Sequence, residues 1–121
     1  METINDKVMP AISTFLTRRG YDILEQNWTH GKDSIDFIAR DEDGELVFVA
    51  AKVASEGNAF PVEKANRKSL ERVAAAYLAA SSDIPEGSIR FDVISLLVLG
   101  PSKALIRHHI NAIGDAGTTE V

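Results

Sequence analysis

Cysteine is absent from this 121-residue chain, which removes disulfides and thiolate metal sites and gives no sign of an oxidising compartment. Long apolar runs are missing too, since none approaches the roughly 18 residues of a membrane span. The opening METINDKVMP has neither a basic segment nor an apolar core, so no secretory signal is expected. Basic charge is in deficit, with 13 Lys and Arg against 18 Asp and Glu. The resulting net charge of −5 argues against a generally basic nucleic-acid binder. Internal repeats and low-complexity segments are also lacking. What remains is ordinary globular composition, 45% hydrophobic and 26% charged, with length for one domain around a single core. A cytoplasmic protein is the default expectation.

Hydrophobic spacing predicts the elements in turn. Val8, Ile12, Phe15 and Leu16 recur at helical intervals, giving a helix over about 5–19. Arg18 and Arg19 suit its C-terminal dipole and Gly20 its left-handed cap. Pro10 requires that the helix start near it or hold it in the first turns, where a lost N–H costs little. Residues 21–28, YDILEQNW, read as a short strand. Two apolar runs, 34–39 and 46–53, flank the acidic turn Asp41-Glu42-Asp43-Gly44 and read as a β-hairpin with both faces covered. After a loop at 54–60, Pro61 opens the longest helix, to Ala80, with an apolar stripe of Val62, Ala65, Leu70, Val73, Ala74, Tyr77 and Leu78. A turn at 81–87 leads to the buried strand 89–99, interrupted by Asp92, and a last short strand at 104–109. The core spans about 8–113, and the polar tail 114–121 is expected to fray. The order αβββαβ, plus a small final strand, indicates an α/β fold with a mixed sheet covered by helices.

Charge is unevenly spread. Residues 31–60 hold seven acids against Lys32, Arg40 and Lys52, and much of that acidity lies on one turn, expected to be a solvated tip. The long helix offers Lys64, Arg67, Lys68 and Arg72 on its other face, either as a solvated face or as a track for phosphates. Trp28 and His30 either stack on a base or cover the sheet edge. His108 and His109 are adjacent in a strand, point to opposite faces and make no metal pair.

Asp36 and Lys52 stand out, because each is a lone charge inside an apolar strand. Such groups are rarely buried unless paired or put to use. A hairpin brings them together, so a direct or one-water contact within about 4 Å is expected. Residues two apart share a strand face at about 7 Å, which places Ser34 beside Asp36 and Ala50 beside Lys52. An acid on one strand, with an acid and a Lys two residues apart on the next, is the arrangement of metal-dependent phosphodiester nucleases. Here Ala50 supplies no oxygen, and the local pattern is half a site.

The run GYDILEQNWTHGKDSIDFIARDEDGELVFVAAK resembles the YraN family of restriction-endonuclease-like proteins, also likened to Holliday-junction resolvases. Gly20, Tyr21, Asn27, Ile35, Asp36, Val47, Phe48, Val49, Lys52, Tyr77, Leu78, Arg90, Phe91, Asp92, Val93, Asn111 and Ala112 match its pattern in order. The resemblance implies the αβββαβ restriction-endonuclease core and a PD-(D/E)xK site. The family's Glu falls on Ser34, its second-strand Glu on Ala50, its first-helix acid on Met9 and its long-helix Lys on Asn66. Asp36 and Lys52 alone remain of the implied cluster, as vestigial catalytic residues, with Asp36 the one candidate metal ligand. Glu63 is a possible displaced ligand.

Three readings follow. The first is a divergent endonuclease-like protein that binds branched or single-stranded nucleic acid through Arg67, Lys68 and Arg72 and cleaves little or not at all. The second is a non-catalytic interaction or scaffold domain, as a homodimer. The third is a Mg²⁺-dependent nuclease with a displaced carboxylate. No cofactor is expected unless the site is active, when it would be Mg²⁺, and no membrane partner is expected.

Overall fold

The computed structural model describes residues 4–54, 67–81, 89–101 and 103–112. Helix α1 (Ile4–Arg18) precedes strands β1 (Asp22–His30), β2 (Asp33–Arg40) and β3 (Leu46–Ala54). Helix α2 (Arg67–Ala80) and strands β4 (Ile89–Gly100) and β5 (Lys103–His109) follow. The five strands form one sheet in sequence order. Neighbours run antiparallel except β3 and β4, which are parallel and therefore need the long connection that contains α2.

Each helix covers one face. Val8, Ile12 and Leu16 of α1 pack on Phe37, Ala39, Val47, Val49, Ile94 and Leu96. Leu70, Val73, Ala74 and Tyr77 of α2 pack on Ile35, Ile38, Leu46, Phe48, Ala50 and Val93. Leu46 to Ala50 are all buried, with alternate residues facing opposite helices, which explains the continuous apolar run of β3. The α2 stripe holds at Leu70, Val73, Ala74 and Tyr77, whereas Leu78 is 37% exposed. Residues 61–66, the expected start of that helix, lie outside the described residues.

Helix α1 begins at Ile4, close to the expected start, and holds Pro10 in its second turn. The burial of Val8, Ile12 and Leu16 outweighs one missing intrahelical bond, as is usual where tertiary packing supplies most helical stability. Gly20 closes the helix as expected, at φ 90°, with Gly20 N–H donating to the Thr17 carbonyl and Tyr21 N–H to the Leu16 carbonyl. These are the paired bonds of a Schellman cap. Strand β1 extends beyond Trp28 to His30 and joins β2 through the two-residue turn Gly31-Lys32, with Gly31 at φ 60°. That turn was hidden because Gly31 alone marks it in the sequence.

Gly20→Ala should destabilise the protein by about 1–2 kcal/mol, because an L side chain is strained at this φ and its Cβ would meet the Glu42 side chain. Urea unfolding of the variant against wild type measures this.

Candidate functional site

A reversal of the pleat positions Asp36. In β2, Phe37 and Ala39 face α1 and Ile38 faces α2, so strict alternation would aim Ile35 at α1. Instead Ile35 packs in the α2 cluster. Strand β1 breaks its alternation at the same level: Glu25 acts electrostatically on Tyr77, and Trp28, an odd three residues later, packs against the same ring. Asn27 lies between them at φ 52°, a left-handed conformation that Asn tolerates better than most residues. The β1–β2 register passes this point unshifted, from Gln26↔Phe37 to Trp28↔Ile35.

The β2–β3 ladder does not continue past it, and Phe37↔Val49 is its final pair. The N–H of Ala51, beyond that pair, donates to the Asp36 carboxylate at 2.7 Å. A side chain thus takes over where the backbone ladder ends. Burial pushes the Asp36 carboxyl above its usual range, opposed in part by the Ala51 N–H and the charge of Lys52. Of the expected contact between Asp36 and Lys52, direct or through one water, the direct ion pair is not formed among the described residues; Lys52 acts on the carboxylate through space while the Ala51 N–H holds it. Ala50 is buried in the α2 cluster, Ser34 is exposed, and Met9 packs half-buried beneath the α1 face. Glu63 and Asn66 lie outside the described residues. Among the described residues, no three His, Cys, Asp or Glu side chains are gathered to hold a metal ion.

The basic residues of α2 have local partners. The Arg72 guanidinium grips Asp33 with Nε and Nη2, each at 2.9 Å, and the Ser69 hydroxyl donates to the same carboxylate at 3.1 Å. The Arg72 hydrogen bond holds the Asp33 carboxyl down at about 2. Arg67 pairs with Glu71 at 3.4 Å, and Lys68 is exposed. On the same face of the hairpin, the rings of Trp28 and His30 stack, 6.2 Å apart and 9° from parallel, while Trp28 meets Tyr77 edge-on.

A second charged cluster went unforeseen. Arg90 Nε and Nη2 donate to Asp92 at 2.9 and 3.1 Å, and Nη2 also donates to the Tyr21 hydroxyl at 2.7 Å. Nη1 donates to Asp41 at 2.7 Å and Glu45 at 3.2 Å. Asp92, fully buried, further accepts from the Tyr21 hydroxyl and the Asn111 N–H and bonds His108 Nε2 at 2.8 Å. The expected solvated tip is therefore wrong for Asp41, whose side chain is 12% exposed, because Arg90 draws it inward. Burial raises the Asp92 carboxyl, but the bonds from His108, Arg90 and Asn111 overcome it and hold it down at about 2. Burial and the Asp92 charge push the Tyr21 phenol up to about 12. His108 Nε2 faces the Asp92 carboxylate, and the buried Nδ1 of the same ring has no hydrogen-bond partner among the described residues. The signal in the sequence was Arg90 and Asp92, opposite charges two apart on one strand face. With both oxygens of Asp92 engaged, this cluster ties the hairpin tip, β4 and β5 together.

These features define a mixed α/β protein: a five-stranded sheet between two helices, with one carboxylate and one lysine near the end of the β2–β3 ladder. The chain belongs to the uncharacterised protein family UPF0102, whose model matches residues 11–96, the same family to which the YraN resemblance pointed. It is 38% identical to a UPF0102 protein of Chlorobaculum tepidum, covering 84% of this chain and 86% of that protein. A relative from Roseiflexus castenholzii is 35% identical, covering 84% of this chain and 86% of that protein. One from Trichlorobacter lovleyi is 27% identical over 92% and 90%. No helix among the described residues is long and apolar enough to cross a membrane.

Two stability measurements separate the clusters. Asp36→Ala should cost about 1–3 kcal/mol by stranding the Ala51 N–H, whereas Asp36→Asn, whose carbonyl still accepts, should cost much less. A carboxylate whose native pKa is depressed stabilises the fold above its unfolded value and loses that contribution as pH falls. Asp92 should therefore contribute on the order of 2 kcal/mol that disappears between about pH 4 and pH 2. Denaturant titrations across that window should show a smaller acid loss in Asp92→Asn, which is already destabilised at pH 7.

Proposed function

We propose that this chain is a nucleic-acid-binding protein with a restriction-endonuclease-like core, whose PD-(D/E)xK site is degenerate and cleaves little or not at all. The observation that carries this reading is the Asp36 carboxylate, bonded to the Ala51 N–H beside a buried alanine at position 50. Hydrolysis at such a site needs Mg²⁺ to generate the nucleophile and neutralise charge on the phosphate. Mg²⁺ dehydrates reluctantly and favours anionic oxygen ligands, whereas the positions that the resemblance assigns to further carboxylates hold Ser34, Ala50 and Met9 here. The donor set among the described residues does not suit the ion.

Binding would fall on the exposed face of α2 and the neighbouring hairpin end. Lys68 and Arg67 offer charge there, and the stacked Trp28–His30 pair offers flat rings suited to unpaired bases. A second reading, a homodimeric interaction or scaffold domain, is favoured by Leu99 of β4 and Leu105 of β5, which are 53% and 48% exposed. Light scattering that found a dimer, split by Leu105→Glu, would favour that second reading.

The test is a cleavage and binding series on branched and single-stranded DNA. Wild type should show no Mg²⁺- or Mn²⁺-dependent cutting above background, and a Ser34→Glu, Ala50→Glu variant serves as the restored comparison. Binding should weaken with salt, and reversing Arg67 and Lys68 should flatten that dependence for all sequences. If wild type cuts and Asp36→Asn or Lys52→Ala abolishes the cutting, the degenerate-site reading is wrong. Glu63 would then be examined as the displaced ligand.

A further inference from the structure

The geometry around Asp33 has the form of an oxyanion site with its anion already in place. Two guanidinium nitrogens of Arg72 and the Ser69 hydroxyl converge on the two oxygens of one carboxylate, at 2.9, 2.9 and 3.1 Å. A bidentate guanidinium with a hydroxyl donor is the set that recognises a phosphodiester as readily as a carboxylate. The two partners differ in exposure: the Asp33 side chain is 13% exposed, while that of Arg72 is 51% exposed. The Arg72 side chain therefore stays about half open to solvent while it holds Asp33.

The surroundings favour an anion as well. Lys32, next to Asp33, lowers the Asp33 carboxyl through its charge, and Lys68 lies one helical turn from Arg72 on the exposed side of α2. His30 is paired opposite Asp33 in the hairpin and stacks on Trp28, so an aromatic platform shares the face. Helix α2 is anchored independently by buried Leu70, Val73, Ala74 and Tyr77, so it does not depend on the Asp33 contact for its place.

We propose that Ser69 and Arg72 form a cradle for the phosphodiester backbone of single-stranded nucleic acid, and that Asp33 occupies it as an internal competitor. Backbone phosphate enters by exchanging with the carboxylate, so the cradle contributes little to affinity while Asp33 is ionised and in place. This deepens the nucleic-acid-binding reading above and rests on it. Two exchangeable anions on one guanidinium make the contact a brake on affinity, not a source of it.

The experiment measures fluorescence anisotropy of a labelled oligothymidylate between 50 and 200 mM salt, as orders of magnitude for the screening range. It compares wild type, Asp33→Asn, Arg72→Gln, Asp33→Asn/Arg72→Gln, and Asp43→Asn. The last variant removes one charge from the exposed hairpin tip and controls for net charge. Asp33→Asn should bind about three- to tenfold more tightly and steepen the salt slope by roughly 0.7, the increment for one further phosphate on a single strand. Asp43→Asn should do neither, and the double variant should lose the gain.

As an independent reading, the Arg72 Nε–H resonance should shift saturably with inorganic phosphate in Asp33→Asn and stay in place in wild type. Tightening equal to that of Asp43→Asn, or surviving loss of Arg72, would overturn the cradle while leaving nucleic-acid binding intact. Failure of every variant to bind at the lowest salt would overturn both. Near-ultraviolet circular dichroism of Trp28 verifies that each variant retains the packing against Tyr77.

Discussion

The bond from the Ala51 N–H to the Asp36 carboxylate is the constraint around which the candidate site is arranged. Up to Phe37↔Val49 the β2–β3 hairpin satisfies itself through backbone, and beyond that pair it does not. A buried N–H left without an acceptor costs about as much as a lost hydrogen bond, so the position of Asp36 is dictated by the sheet before any chemistry is considered. The pleat reversal shared by β1 and β2 is what turns this side chain toward β3. Lys52 then tempers the cost of burying the carboxylate, acting through space. The Ala51 bond and the charge of Lys52 give Asp36 a part in the fold, which is why an acid and a lysine in adjacent apolar strands do not by themselves argue for catalysis.

The opposite end of the hairpin is held by different means. Arg90 gathers Asp41, Glu45 and Asp92 and passes a hydrogen bond to Tyr21, so the tip, the end of α1 and the start of β4 meet at one guanidinium. His108 adds β5 to the same cluster. The sheet is thus pinned by charge at the tip and by a backbone-capping carboxylate where the strands part. Between the two, Val47, Phe48 and Val49 fill both faces with apolar packing.

Much of this architecture was legible in the sequence. Strands β2, β3 and β4 follow from β-branched and aromatic runs bounded by turn residues, and Gly20 marked the end of α1. Asp41 to Gly44 announced the hairpin, though not that Asp41 turns inward, because its partner Arg90 is 49 residues away. Asp36 was conspicuous as a charge in an apolar run, yet its partner is a backbone N–H, which no side-chain pattern can reveal. The pleat reversal needs two strands to break alternation together, and the only local trace was Asn27, a residue tolerant of positive φ. Arg72 read as a free cation for the same reason: Asp33, across the helix–sheet interface, is invisible to helical spacing.

The central claim is that Asp36 serves the β3 backbone and does not gather a divalent ion. Paramagnetic relaxation tests it most directly, by following the amide resonances of Ala51 and Lys52 while Mn²⁺ is added to the ¹⁵N-labelled protein. The account predicts that these amides broaden no more than those of exposed acidic stretches such as Glu42–Asp43. Selective loss of the Ala51 and Lys52 signals at low Mn²⁺, reversed by Mg²⁺ and absent in Asp36→Asn, would contradict it.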